Sequence, residues 1–85
     1  MKSLNKIDIV CLKDLEQQNK TSYLKSFEIK KFMLVNSGNV KYNTVYKRLE
    51  KLKQKGLIDY GILSGNAKTY YITDKGLEIL NKIED

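Results

Sequence analysis

The sequence predicts an α+β fold in which three helices are followed by a two-stranded hairpin and a last helix. Three observations support this prediction. Up to Lys55, apolar residues recur every three or four positions, as they do on the inward face of a helix. After Gly56 they give way to two β-branched and aromatic runs separated by a turn. From Asp74 onward the helical spacing returns.

Length and composition predict one small globular domain over residues 1–85 and exclude several kinds of active site. The chain has 85 residues, of which 41% are apolar, with no His, no Trp and one Cys. Without histidine, neither a Ser-His-Asp nor a Cys-His catalytic arrangement can be built. One thiol provides neither a disulfide framework nor a structural zinc site. We therefore expect a protein that is not an enzyme and that uses no metal or other cofactor.

The same composition predicts where the protein resides. No apolar run approaches the ~18 residues that a membrane helix needs, and the N-terminus lacks the apolar core of a signal peptide. A single cysteine fits a reducing compartment. We expect a cytoplasmic protein without a membrane partner, and no effector domain that would bind a small molecule.

The first helix is predicted over residues 3–18, with Ser3 as its N-cap. Its inward face is predicted to contain Leu4, Ile7, Cys11 and Leu15. On this face Cys11 is expected to be a buried, unreactive thiol.

A short extended segment is predicted at Tyr23 and Leu24, followed by a second helix that Ser26 would cap and that ends near Leu34. The inward face of this helix is predicted to contain Ile29, Phe32 and Met33. Either Asn36 or Gly38 can take the left-handed conformation that ends a helix.

The third helix is predicted over residues 41–55 and ends at Gly56. Val45, Leu49 and Leu52 form one narrow apolar face, with Tyr42 at its edge. The opposite face is polar and basic and contains Asn43, Thr44, Lys47, Glu50, Lys51 and Gln54.

A hairpin is predicted from residues 57–63 and 68–73, which flank a turn at 64–67. Tyr60 and Tyr70 are expected to point into the sheet and core, although a base-stacking role for the tyrosines is an alternative. Either Thr73 or Asp74 would cap a last helix over residues 74–84.

A helix-turn-helix followed by a two-stranded hairpin is the arrangement of the winged helix-turn-helix fold, in which the hairpin is the wing. Residues 42–58 contain the pattern L-x-x-L-x-x-x-G-L-I and resemble the recognition helix and following strand of bacterial and archaeal winged-helix regulators. Residues 70–76, Y-x-I-T-x-K-G, resemble the second wing strand and helix start of MarR-like and PadR-like regulators. The resemblance implies a protein that binds double-stranded DNA, as a transcriptional regulator of the repressor type.

The charge of the chain is concentrated on the third helix. The formal net charge is +6, and residues 36–56 hold six basic residues against Glu50 alone, whereas residues 57–85 are net acidic. A solvated basic face is one explanation and an anionic partner is the other. The candidate DNA contacts on this helix are Lys41, Asn43, Thr44, Tyr46, Lys47, Arg48 and Lys51.

Each residue type in that set suits a particular contact in the DNA major groove, which an α-helix can enter. Asn43 can pair with adenine, Lys47 or Arg48 can reach guanine, and a threonine methyl can pack on thymine. Lysines elsewhere on the helix suit phosphates.

Two further segments are predicted to approach the duplex. The start of the second helix would present Lys25, Ser26 and Lys30 to a phosphate, and the wing tip would present Asn66 and Lys68. A capped helix with solvated lysines and an ordinary hairpin loop are the respective alternatives.

The two terminal helices have wider apolar arcs than one small core requires, which predicts a two-fold homodimer. The candidate interface residues are Ile9, Leu12, Ile79, Leu80 and Ile83. Such a dimer would place the third helices about one DNA turn apart, roughly 34 Å. A monomer is the alternative. Two other functions stay open, which are binding of plasmid or viral centromere or origin repeats, and docking of a partner protein.

Overall fold

A computed structural model of the chain describes residues 4–63 and 65–84. The helices are α1 (Lys6–Gln17), α2 (Met33–Asn36), α3 (Tyr42–Gln54) and α4 (Asp74–Glu84), with a 3₁₀ turn at Ile29–Lys31. The strands are β1 (Phe27–Glu28), β2 (Ile58–Tyr60) and β3 (Thr69–Ile72), which form one antiparallel sheet in the order β1-β3-β2. The predicted α+β class is confirmed.

Helix α1 begins at Lys6 because two side chains cap it reciprocally. The Asn5 side chain accepts a hydrogen bond from the Asp8 backbone N–H at 2.9 Å, and Asp8 accepts one from the Asn5 N–H at 3.1 Å. This capping box satisfies donors that the first helical turn leaves free. The predicted helix start at residue 3 is therefore wrong, and Ser3 itself lies outside the described residues.

The segment between α1 and α3 differs from the short extended segment and second helix that the sequence predicts. The strand falls at Phe27–Glu28, where it pairs with β3, and not at Tyr23 and Leu24, which are exposed. Ser26 caps no helix, since its hydroxyl is hydrogen-bonded to the Thr69 hydroxyl at 2.9 Å.

A buried carboxylate on α1 starts helix α2. Asp14 accepts a hydrogen bond from the Met33 backbone N–H at 2.7 Å, and this contact begins the helix seven residues after Ser26. Ile29 and Phe32 are buried as predicted, but Met33 is 58% exposed and is not part of the inward face. The physical reason is that Phe32 is extended, so that Met33 is placed on a new helix.

Helix α3 matches its prediction closely. Val45, Leu49 and Leu52 are at most 1% exposed and pack against α1 and the sheet, whereas Tyr42 is half-exposed. Gly56 follows the helix with a φ of 80°, the left-handed conformation that favours glycine. The predicted hairpin also forms, although Ser64 of its turn lies outside the described residues.

Helix α4 is held close to the sheet by a glycine and a threonine. The Thr73 hydroxyl accepts a hydrogen bond from the Gly76 N–H at 3.2 Å, so Thr73 is the cap. A Cβ at Gly76 would overlap the Leu57 carbonyl oxygen and the Ile72 side chain, so only glycine fits this helix–strand approach.

Most apolar residues on the arcs of α1 and α4 pack inside the domain. Leu12 and Leu80 are completely buried in the core that α1, α3, α4 and the sheet share, so their prediction as interface residues is wrong. The reason is that α1 and α4 pack against each other. Ile9 and Ile79 are partly buried, and Ile83 is exposed.

Candidate nucleic-acid interface

The outward side of α3 forms a polar and basic strip along a helix about 20 Å long. Asn43, Thr44 and Lys47 are exposed on its N-terminal half, and Tyr46 is partly exposed beside them. Lys41 and Lys51 are exposed at either end of this strip. The opposite side of the helix is fixed in the core, so the strip is presented by a rigid element.

The N-terminus of α3 adds a positive end to the strip. Lys41 is the N-cap, and its side chain makes no capping hydrogen bond to the N–H groups of the first turn. Such a helix end favours anions, because the helix dipole is positive there and the N–H groups are available.

Arg48 does not belong to this strip, although the sequence predicts it as a base contact. Its guanidinium donates from Nε to Asp8 Oδ1 at 2.8 Å and from Nη2 to Asp8 Oδ2 at 2.6 Å. Asp8 is completely buried, and the hydrogen bonds from Arg48 to it raise the pKa of Arg48. The prediction that Arg48 reaches guanine is therefore wrong, because its Nε and Nη2 are both hydrogen-bonded to Asp8 on α1.

Glu50 is also displaced from the solvent-facing role that the helical wheel suggests. Its two carboxylate oxygens accept hydrogen bonds from the hydroxyls of Tyr60, at 2.8 Å, and Tyr70, at 2.9 Å. Burial and the hydrogen bond to Glu50 both raise the pKa of Tyr70. The pKa of Tyr60 is also raised, and there the hydrogen bond to Glu50 contributes more than burial does. Tyr60 and Tyr70 point into the sheet, as predicted.

The two predicted contacts of the wing differ, since one is an exposed side chain at the tip and the other is a lysine that folds back. Asn66 is exposed at the tip, next to Gly65 with its φ of 64°. Lys68 is exposed as well, but its Nζ lies 3.5 Å from the Tyr60 hydroxyl and 5.9 Å from the centre of the Tyr46 ring. Its hydrogen bond to Tyr60 raises the pKa of Lys68.

The segment before α2 keeps only part of its predicted role. Lys25 and Lys30 are exposed, but Ser26 is half-buried and bonded to Thr69, so its predicted contact with a phosphate at a helix start is wrong. Beside this segment lies an open groove of about 640 Å³. Apolar side chains in its lining are Phe27, Met33, Ile62 and Leu63.

Three carboxylates that organise the site escape the sequence prediction. Asp8 holds Arg48, Glu50 holds the wing, and Asp14 starts α2. The N-x-x-D spacing from Asn5 to Asp8 is a signal for the first. A helical wheel also places Arg48 about 60° from Val45, at the edge of the apolar face. Neither Glu50 nor Asp14 carries a local signal.

The described residues lack the features of two other kinds of site. Across residues 4–63 and 65–84, no cluster of three or more Asp, Glu or Cys side chains could hold a metal ion. Within the same residues, no helix combines the length and the apolarity that crossing a membrane requires.

Comparison with known proteins bears directly on this architecture. The family model described as winged helix-turn-helix matches residues 5–85. The chain belongs to the winged helix-turn-helix family. It is also 32% identical over 81 residues to the DNA-binding protein TubR of Clostridium botulinum C phage. The aligned residues cover 95% of this chain and 98% of that protein. No solved structure matches the chain. The finer resemblance to MarR-like and PadR-like regulators stays a prediction.

Proposed function

We propose that the protein binds double-stranded DNA sequence-specifically, with α3 in the major groove. The observation that carries the proposal is the strip of Asn43, Thr44 and Lys47, exposed on a basic helix whose other side is fixed in the core. Asparagine and lysine have the donor groups that read adenine and guanine edges. The similarity to a phage protein described as DNA-binding supports the same activity.

Affinity comes mainly from lysines around the strip. Lys41 and Lys51 flank it, and Lys25 and Lys30 are exposed on the segment before α2. Neutralising phosphates with lysine releases counterions and makes binding strongly dependent on salt. A dimer with about 6–8 such contacts loses about a thousandfold or more in affinity between 50 and 200 mM salt.

A homodimer is part of the proposal. Two recognition helices that bind the same face of one duplex make twice as many DNA contacts as one helix. With Leu12 and Leu80 in the core, the predicted interface residues that are not fully buried are Ile9, Ile79 and Ile83. Sedimentation at high micromolar concentration tests this part. A dimer that Ile83→Ser converts to a monomer supports the interface, and a 9.9 kDa species of the unmodified protein contradicts it.

Two biological roles fit this activity. One is control of transcription as a repressor, and the other is occupancy of origin or centromere-like repeats on a plasmid or viral genome. The phage origin of the similar protein favours the second role. Cooperative binding to tandem half-sites supports it, whereas one isolated inverted repeat that is bound without cooperativity supports the repressor.

Selection of bound duplexes from a random library, followed by binding measurements at defined salt, tests the DNA proposal. Asn43→Ala and Lys47→Ala are expected to cost about 1–3 kcal/mol on the selected duplex and to relax one base position each. Lys82→Ala is the matched control, because Lys82 is an exposed lysine on α4. Absence of any shifted duplex at low salt and micromolar protein would contradict DNA binding and favour docking of an acidic partner protein.

A further inference from the structure

The one acidic residue of α3 joins this helix to both strands of the wing. Glu50 accepts one hydrogen bond on each carboxylate oxygen, from Tyr60 on β2 at 2.8 Å and from Tyr70 on β3 at 2.9 Å. Hydrogen bonds from two hydroxyls to one carboxylate are charge-assisted, and together they fix the orientation of the carboxylate group. Helix and wing therefore meet at a fixed three-residue junction.

The surroundings of the junction make it stiff. The rings of Tyr60 and Tyr70 pack edge to face, with their centres 5.6 Å apart. Lys53 and Lys68 each place Nζ 4.9 Å from the centre of the Tyr60 ring, and Lys68 also approaches the Tyr60 hydroxyl. The core buries Tyr70 completely, so the Glu50 carboxylate is anchored at the base of the sheet.

A glutamate at position 50 is expected to weaken DNA binding unless it has a structural role such as this junction. A carboxylate on the helix that approaches phosphates repels them, and on a freely solvated face it would only weaken binding. Here the two tyrosine hydroxyls that bind Glu50 and the ammonium group of Lys68, which interacts electrostatically with Glu50, offset its charge. The wing therefore sets the direction in which the Glu50 carboxylate points.

We propose that Glu50, Tyr60 and Tyr70 form a brace that fixes the angle between α3 and the wing, so that both contact one duplex together. The proposal rests on the DNA-binding function above. Glu50 is then a positioning residue, which acts on DNA through the wing and the Asn43–Lys47 strip.

The test uses the full chain with Tyr60→Phe and Tyr70→Phe combined, a change that keeps the net charge and both rings. On the selected duplex, the dissociation constant is expected to rise about tenfold, whereas on random duplex it stays within twofold of the unmodified protein. Glu50→Gln is expected to weaken binding to the selected duplex as well, although it removes a negative charge. Glu78→Gln is the charge-matched control on α4 and is expected to bind at least as tightly as the unmodified protein.

Amide hydrogen exchange of the free protein is the second readout. In the double variant, exchange is expected to speed up in Ile58–Tyr60 and Thr69–Ile72 and to stay unchanged in Lys6–Gln17. If exchange rises in every element, the double variant is destabilised throughout, and the binding test is made with the single variant Tyr60→Phe. Binding of the selected duplex about threefold weaker than that of the unmodified protein then supports the brace, and unchanged binding overturns it.

The brace and the DNA proposal fail in different ways. Unchanged affinity of the double variant for the selected duplex overturns the brace and leaves DNA binding intact. If the unmodified protein binds no duplex, the DNA-binding proposal fails, and the positioning role fails with it. The exchange rates of the wing then report separately whether the junction holds the wing on α3.

Discussion

Replacing Arg48 with alanine tests whether this residue serves the fold or the DNA. In the structure its guanidinium makes two hydrogen bonds to Asp8, whose side chain is 0% exposed, while the Arg48 side chain is 24% exposed. The substitution would leave a buried carboxylate whose remaining described hydrogen bond comes from the Asn5 N–H. The variant is therefore expected to have a lower free energy of unfolding, and not only a lower affinity for DNA.

The size of the loss follows from the burial of the pair. Removing one partner of a fully buried ion pair costs about 3–5 kcal/mol, whereas an exposed pair contributes about 0–1 kcal/mol. Because Asp8 is buried and Arg48 is largely so, the loss for Arg48→Ala is expected to be about 2–4 kcal/mol. For a domain of this size, that corresponds to a fall in Tm of roughly 10–25 °C.

Urea denaturation followed by circular dichroism measures the free energy of unfolding. Lys47→Ala is the matched control on the same helix and is expected to change it by less than about 0.5 kcal/mol, because Lys47 is exposed. In the double variant Asp8→Asn, Arg48→Met, the loss is expected to be smaller than the sum of the single losses, since the two residues interact. If Arg48→Ala unfolds like the unmodified protein and binds the selected duplex tenfold more weakly, Arg48 serves the DNA contact and not the fold.

Two further predictions concern the packing of α4 and the thiol of α1. Gly76→Ala is expected to destabilise the protein by about 1–3 kcal/mol, because its Cβ would meet the Leu57 carbonyl, and thermal denaturation with Asn81→Ala as an exposed control measures this loss. Burial raises the pKa of Cys11 from 9.0 to about 12, so its contribution to stability is complete below pH 9 and is lost as the pH rises towards 12. Urea denaturation between pH 8 and 11 is expected to show a decline of up to about 1.4 kcal/mol per pH unit from this group, and a slope that Cys11→Ala leaves unaltered would contradict it.

Local patterns predict the elements whose structure depends on nearby residues. The narrow apolar face of α3 and the glycine after it are visible in the sequence, and the structure confirms both. The segment from Tyr23 to Met33 is not predicted correctly, because its structure depends on distant partners. Thr69 holds the Ser26 hydroxyl, and Asp14 holds the Met33 N–H.

The candidate site shows the same limit. A helical wheel separates the inward and outward sides of α3, and Asn43, Thr44 and Lys47 are exposed as expected. It does not show that Arg48 is bound by Asp8, 40 residues earlier, or that Tyr70 binds Glu50 from 20 residues later. Likewise, the arcs of α1 and α4 contain no sign that these helices cover each other and bury Leu12 and Leu80.

An NMR titration of the full chain with the selected duplex tests the central claim most directly. We expect the amide shifts to concentrate at residues 41–47, at the start of α3, and at Asn66 on the wing tip. The amides of Asp74–Glu84 are expected to change little. Shifts that concentrate on α4 and leave Asn43, Thr44 and Lys47 unchanged would contradict binding of DNA by α3.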